Sequence, residues 1–120
     1  MADHNDLGIK GEQIAVDFLI QKGYHILSRN YRFKQHEIDI LAQDQEDLVV
    51  VEVKTRQSDF LTDPQKLISK SKQKGLIHAA NAYIHQHEFD GECRFDVIIV
   101  IHNQKGIDLR HIEEAFYPVL

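Results

Sequence analysis

The stretch "LVVVEVKTR", residues 48–56, decides the fold that we predict for this chain. Its apolar first half is typical of a buried β-strand, yet Glu52 and Lys54 follow two positions apart and so share one face of that strand. An unpaired charge that is taken out of water costs several kcal/mol or shifts its pKa until it is neutral. We therefore expect this stretch to be the central strand of the sheet, and we expect Glu52 and Lys54 to have a chemical role there.

The segments on either side of this strand predict a mixed α/β fold in the order α-β-β-β-α-β-β. A crossover through the second helix would place the fourth strand parallel to the third, in a central mixed sheet flanked by helices. Asp63 is the predicted N-cap of that helix, and Pro64 its first residue. The predicted bounds, in chain order, are a helix at about 6–22, strands at 24–33, 37–43 and 48–56, a helix from 63–64 to about 87, and strands at 93–101 and 107–112.

Length and composition indicate one soluble domain over residues 1–120, with 42% hydrophobic and 28% charged residues. The single cysteine, Cys93, fits a reducing compartment, and no signal peptide or membrane-spanning stretch is evident, so we expect a cytoplasmic protein without membrane contact. The net charge of −5 counts against a plain phosphate-binding protein. It counts much less against a protein that gathers carboxylates around a divalent cation.

The hairpin formed by the second and third strands is expected to bring acidic side chains together. A two-residue loop at Gln45 and Glu46 would place Asp39 opposite Glu52, and Glu37 opposite Lys54, with Cβ atoms about 5 Å apart. One interpretation is an ion-pair network in which Lys54 and Arg56 neutralise Asp39 and Glu52. The other is a site for Mg²⁺ or Mn²⁺, since both ions prefer carboxylate oxygens.

Further polar residues point toward the same core. On a helical wheel, Glu12 falls beside Ala15 and Leu19, and Lys72 falls within the apolar stripe of the second helix. Several polar intrusions into one core favour an active site over a purely structural role. Asp96, on the most apolar strand, is predicted to be a structural partner of a lysine or arginine. Basic residues near the hairpin and along the second helix are the predicted nucleic-acid contacts: Arg29, Arg32, Lys34, Arg56, Lys66, Lys70, Lys72 and Lys74.

These residues resemble a known nuclease signature. Asp39, a spacer of twelve residues and then Glu-x-Lys at 52–54 is similar to the PD-(D/E)XK pattern. Nearly the whole chain also resembles the YraN family of small bacterial proteins, although that family has Asn where this chain has Glu114. The stretches that carry the resemblance are "GEQIAVDFL" at 11–19, "GYHILSRNYR" at 23–32, "EIDIL" at 37–41, "VVEVKTR" at 50–56, "RFDVI" at 94–98 and "HIEEAF" at 111–116.

The resemblance implies a restriction-endonuclease-like core, nearest to archaeal Holliday-junction resolvases. By that likeness Asp39, Glu52, the Val53 carbonyl and Glu12 would hold Mg²⁺ or Mn²⁺. Lys54 would orient or deprotonate the attacking water and stabilise charge on phosphorus. The expected function is metal-dependent hydrolysis of phosphodiesters in branched or structured DNA. Two symmetric cuts in a junction would need a homodimer.

Two other functions stay open at this stage. The chain could be a nucleic-acid-binding accessory protein that keeps the nuclease fold without cutting, in which case Lys54→Ala would change only affinity and salt dependence. The charged hairpin could also be a structural ion-pair core that binds no ligand. In that case Asp39→Asn would destabilise the protein, and Mg²⁺ would leave its melting temperature unchanged.

Overall fold

The sheet and helices follow the predicted order. A computed structural model describes residues 4–58 and 66–118. The five strands form one sheet in the order β1-β2-β3-β4-β5, with one helix on each face. No helix in the described ranges is long and apolar enough to cross a membrane. The elements are α1 (His4–Gln21), β1 (His25–Phe33), β2 (His36–Asp44), β3 (Asp47–Arg56), α2 (Lys70–His87), β4 (Cys93–Asn103) and β5 (Gly106–Phe116).

Strand pairing confirms the predicted hairpin register next to the loop, but the ladder ends at Ile40 and Val51, before the predicted pairs Asp39–Glu52 and Glu37–Lys54. Asp44 pairs with Asp47 and Ile40 with Val51, so the loop is the two residues Gln45 and Glu46. The β3 and β4 strands pair in parallel through the α2 crossover, and the other neighbours are antiparallel. The predicted mixed sheet is therefore confirmed.

Two apolar clusters cover the two faces of the sheet. On one face Ala15, Val16 and Leu19 of α1 pack on buried β-branched residues of β3 and β4. On the other face α2 contributes the predicted stripe of Leu76, Ala79 and Tyr83, all of them buried. Because both faces are covered, the central strand β3 reads as a continuous apolar run from Leu48 to Val51.

Two glycines near the start of α1 have different roles. A Cβ at Gly11 would lie 2.1 Å from the Thr55 hydroxyl oxygen, so this glycine permits close packing of α1 on β3. A Cβ at Gly8 would meet nothing within 4 Å. Gly11 therefore lies in the packed contact of α1 with β3, whereas Gly8 lines an open cleft.

The second helix begins later than predicted. Asp63 and Pro64 lie outside the described residues, but α2 itself starts at Lys70. Ser69 is the N-cap: its backbone is extended, and its hydroxyl accepts from the Lys72 N–H at 3.1 Å. Lys66 therefore precedes the helix, and only Lys70 and Lys74 of the predicted basic stripe lie on it. The predicted end near His87 is confirmed, with Glu88 in the left-handed region.

The side chains of β2 do not alternate regularly around Asp39, so the predicted alternation along this strand is wrong. Regular alternation would put Ile38 and Ile40 on one face, with Glu37 and Asp39 on the other. Instead Ile38 belongs to the cluster beneath α2, whereas Ile40 belongs to the cluster beneath α1. Asn30 on the neighbouring strand, between the pairs that Arg29 and Tyr31 form with β2, has a positive φ of 52°. This local irregularity places Asp39 at the junction of the two layers.

A buried polar network ties β4 to β5 at a bulge. Asp96 accepts from Arg94 Nε and Nη2 at 3.0 Å, from His111 Nε2 at 2.8 Å and from the Glu114 N–H at 3.1 Å. The prediction that Asp96 partners a basic residue is confirmed. Burial alone would raise the pKa of Asp96, but the hydrogen bonds from His111 and Arg94 lower it. The β4–β5 register shifts between Phe95 and Val97, where this network lies.

The bulge also places Glu114 in a backbone conformation that favours asparagine. Glu114 has a φ of 52°, in the left-handed region that Asn tolerates better than Glu. We expect Glu114→Asn to raise the free energy of unfolding by about 0.5–1 kcal/mol, measured by urea denaturation. Glu92→Asn is the control, since Glu92 is exposed and has no positive φ. An equal gain from both variants would contradict the backbone explanation.

Candidate metal and phosphodiester site

Four elements bring the predicted acidic and basic residues to one place. Glu12 comes from α1, Asp39 from the end of the β2 ladder, Glu52 and Lys54 from β3, and Lys72 from the first turn of α2. The extended backbone of β3 places Glu52 and Lys54 on one face, while the capped start of α2 brings Lys72 over that face. The arrangement thus joins residues that are distant in sequence.

Glu52 is the most buried acidic residue of the site. It is 3% exposed, and both lysines bind the same oxygen: Oε2 lies 2.8 Å from Lys72 Nζ and 3.5 Å from Lys54 Nζ. The hydrogen bond to Glu52 raises the pKa of Lys72. The other oxygen, Oε1, is buried and has no hydrogen-bond partner among the described residues. An unsatisfied buried carboxylate oxygen is costly unless something positive approaches it.

Asp39 lies beside Glu52 without a cation of its own. Its Oδ2 accepts from the Val53 N–H at 2.8 Å, but in the described ranges it forms no ion pair. The pKa of Asp39 is raised to about 7, first by burial, then by the charge of Glu52, a hydrogen bond with Glu52 and the charge of Glu12; the Val53 hydrogen bond acts in the opposite direction. Two neighbouring carboxylates with too little positive charge around them repel each other. A divalent cation that binds both removes this repulsion.

Glu12 is turned toward β1 by neighbours that the sequence did not reveal. Its Oε1 accepts from Asn30 Nδ2 at 3.0 Å and lies 3.5 Å from Arg29 Nη2. Arg29 also donates to Gln13 Oε1 at 2.9 Å. Asn30 was missed as a site residue, although an asparagine inside a predicted strand is a recognisable signal of a left-handed backbone.

The two interpretations of the charged hairpin can now be compared. The ion-pair network is present only for Glu52, through Lys54 and Lys72; the Arg56 side chain donates to the Thr55 carbonyl. Asp39 and the Glu52 Oε1 atom remain without a positive partner in the described part of the chain. Their carboxylate oxygens therefore fit the donor set that Mg²⁺ and Mn²⁺ prefer.

A second group of ligand atoms lies at Asp96, His111 and Glu113. Among the described residues, it is the only set of three such atoms within 4.8 Å of one another, so the oxygens of Glu12, Asp39 and Glu52 are not all that close. Asp96, however, already accepts four hydrogen bonds, two of them from Arg94. With its lone pairs used and a guanidinium beside it, this group is a structural network and a poor metal site.

Two of the three acidic residues, Glu12 and Asp39, open onto a cleft of about 770 Å³ between α1 and the ends of β3 and β4. Val53 also lines this cleft, whereas Glu52 does not. Residues that the sequence did not single out complete the wall, because they lie on strand ends whose neighbours in space only the sheet reveals. The additional lining residues are Gly8, Ile9, Thr55, Arg56, Gln57, Ser58 and His102; of these, only Arg56 was predicted.

The predicted nucleic-acid contacts divide into two groups. Lys34, Arg56, Lys66, Lys70 and Lys74 are exposed. Arg29, Arg32 and Lys72 are exposed as well, but they are paired with Glu12, Glu37 and Glu52 respectively. Glu37 is thus bound by Arg32 at 3.0 Å. Much of the positive charge near the site is therefore already balanced by its carboxylates.

The raised pKa of Asp39 predicts a pH dependence of stability. The folded state holds the Asp39 proton up to about pH 7, whereas an ordinary aspartate releases it near 4. Its stabilising effect is therefore complete below about pH 4 and is lost as the pH rises through about 7. In EDTA at about pH 8, Asp39→Asn should exceed wild type in free energy of unfolding by on the order of 2 kcal/mol, measured by urea denaturation.

The gap between the two proteins should close as the pH falls toward about 4, because Asp39 is then neutral in both states. The asparagine side chain can still accept the Val53 hydrogen bond, so the comparison isolates the charge. A less stable variant at every pH would contradict this account and favour the structural ion-pair core.

Comparison with known sequences identifies relatives over the full length. The profile of the family described as "Uncharacterised protein family UPF0102" matches residues 11–100. A UPF0102 protein of Flavobacterium psychrophilum is 46% identical over 117 residues, which is 98% of both chains. A UPF0102 protein of Christiangramia forsetii is 42% identical over 98% of both chains. One from Bacteroides thetaiotaomicron is also 42% identical, over 100% of this chain and 99% of its own. The YraN-like resemblance is therefore confirmed.

Proposed function

Because the chain belongs to the family UPF0102, whose description states no activity, we propose a function from the site itself: Mg²⁺-dependent hydrolysis of phosphodiesters in branched or structured DNA. The observation that carries the proposal is the unsatisfied Glu52 Oε1 beside an Asp39 that has no cation in the described ranges. A divalent cation between them would satisfy both groups. The same ion is what phosphodiester hydrolysis requires.

The residues present fit such an ion. Asp39, Glu52 and the Val53 carbonyl would hold it, with Glu12 nearby on the cleft wall. A bound Mg²⁺ or Mn²⁺ would supply Lewis-acid stabilisation of charge on the phosphate oxygens. Lys72 keeps the Glu52 carboxylate in one orientation, since it binds Oε2 and leaves Oε1 toward the ion.

Lys54 is the proposed catalytic lysine. Its ammonium lies 3.5 Å from Glu52 Oε2, a longer contact than that of Lys72, and its side chain is 22% exposed. It can therefore turn toward a phosphate while Lys72 continues to neutralise Glu52. There it would orient or deprotonate the attacking water and stabilise charge that develops on the phosphoryl oxygens.

The topology supports a restriction-endonuclease-like core similar to that of archaeal resolvases. An antiparallel hairpin carries Asp39 and Glu52, a parallel β3–β4 pair follows through α2, and α1 contributes Glu12. For DNA contact we propose the exposed Arg56, Lys70 and Lys74, together with Arg29, Arg32 and Lys72. The described residues include no element suited to reading base edges, so recognition would depend on DNA structure. Cleavage of a four-way junction would need a two-fold dimer, which light scattering during turnover would reveal.

An accessory binding role is the second candidate. It is favoured by one observation: both lysines at the site bind Glu52, so neither is free in this arrangement. In that role Lys54→Ala would alter DNA affinity and its salt dependence without any turnover to lose.

Cleavage of end-labelled DNA in Mg²⁺ tests the proposal. Wild type should cut a four-way junction in preference to linear duplex and single strand, and Asp39→Asn should not cut. Asp90→Asn is the matched control, because Asp90 is exposed and lies beyond the end of α2, and it should cut as wild type does. Metal-dependent junction binding without cutting would favour the accessory role.

A further inference from the structure

Arg29 contacts side chains of α1, and a role in DNA binding alone does not explain these contacts. Its guanidinium holds Gln13 Oε1 at 2.9 Å and reaches Glu12 Oε1 at 3.5 Å, while Asn30 holds that same oxygen at 3.0 Å. The Glu12 side chain is 15% exposed and lines the cleft with Asp39. One oxygen of one of the three carboxylates of the site, Glu12 Oε1, is therefore bound to groups on β1 instead of being available to a metal.

The contact between Arg29 and Glu12 is easily exchanged. Arg29 is 37% exposed, and the 3.5 Å contact is longer than a good charge-assisted hydrogen bond. Pairs as exposed as this contribute little to stability. A phosphate offers the guanidinium two oxygens in a matching planar arrangement, which a carboxylate already shared with Asn30 does not.

We infer that Arg29 is a latch on Glu12 that a substrate phosphate opens. In the free protein Arg29 and Asn30 hold Glu12 Oε1 on the β1 side of the cleft. When a DNA phosphate takes the guanidinium, Glu12 is released to complete the metal site, so that substrate and metal each favour the binding of the other. The inference rests on the proposed function and adds to it a regulation of the same site by its own substrate.

Binding of Mn²⁺ alone, measured by calorimetry, tests the first half of the latch. Arg29→Met should bind Mn²⁺ about fivefold more tightly than wild type. This gain should vanish in Arg29→Met combined with Glu12→Gln. The charge control is Arg32→Met, which removes the same charge three positions along β1, where Arg32 pairs with Glu37. An equal gain in Arg32→Met would overturn the latch, since general electrostatics would then explain it.

Binding of a labelled four-way junction in EDTA, followed by fluorescence anisotropy, tests the second half. Glu12→Gln should tighten binding about fivefold, because Arg29 no longer has to leave a carboxylate. The same change made in the Arg29→Met background should have no effect. If Glu12→Gln tightens binding equally in both backgrounds, the latch is wrong.

Failure of the latch and failure of the proposed function are distinguishable. If wild type binds Mn²⁺ and the Arg29 variants behave as the Arg32 control does, the latch is wrong and the proposed function is unaffected. If neither wild type nor any variant binds Mn²⁺, the metal-dependent function falls and the latch with it.

Discussion

Replacing Lys54 by methionine should lower the rate of DNA cleavage by about 10²–10³-fold, because it removes the positive group that meets charge developing on the phosphate. The fold should remain, since the buried Glu52 keeps its shorter contact to Lys72, at 2.8 Å. Mn²⁺ should still raise the melting temperature of the variant. The measurement is single-turnover cleavage of a labelled junction at saturating protein.

The matched control for this prediction is Lys105→Met. Lys105 is an exposed residue of the β4–β5 turn, where its backbone N–H donates to Asn103 Oδ1. We expect this variant to cut at the wild-type rate. A Lys54→Met protein that cuts normally, or one that loses only DNA affinity, would contradict the catalytic role and favour the accessory binder.

Asp96→Ala should cause the largest loss of stability, about 3–5 kcal/mol in free energy of unfolding. Asp96 is 1% exposed and is the acceptor for Arg94, His111 and the Glu114 N–H. Its removal would leave the Arg94 cation half-buried with weaker partners and the β4–β5 bulge without its central acceptor. Such a loss is a large share of the total stability of a small domain.

Urea denaturation of purified Asp96→Ala measures this loss, and Asp108→Ala is the control. Asp108 lies on β5 and also pairs with an arginine, Arg110, but it is exposed, so the screened pair should contribute little. If the two variants have the same midpoint, the network around Asp96 does not stabilise the fold in the way described. A variant too unstable to purify, rescued by Asp96→Asn, would still support the account.

The hairpin register was predictable only on the condition that the loop has two residues. The observed ladder meets this condition, but the sequence alone does not fix the loop length, and a slip of one residue would turn every side chain of the strand to the other face. The start of α2 was not predictable, because Asp63 and Ser69 are both good caps by composition. Only the described geometry at Ser69 identifies the cap of the helix that forms.

The site was only partly readable from the sequence. Alternation correctly placed Glu52 and Lys54 on one face, yet it failed at Asp39, because β2 changes face beside the left-handed Asn30. The helical wheel predicted that Lys72 lies on the apolar face of α2, but it could not identify the residue with which Lys72 forms an ion pair. That partner, Glu52, depends on how α2 docks on the sheet, and sequence spacing holds no information about docking.

The most direct test of the account is calorimetric titration of Mn²⁺ into wild type and Asp39→Asn at about pH 8, with thermal melting of each sample. We predict saturable binding and a higher melting temperature for wild type in Mn²⁺. For Asp39→Asn we predict neither response, together with a higher melting temperature than metal-free wild type. No response of wild type to Mn²⁺, or equal binding by both proteins, would contradict the claim that Asp39 and Glu52 form a metal site.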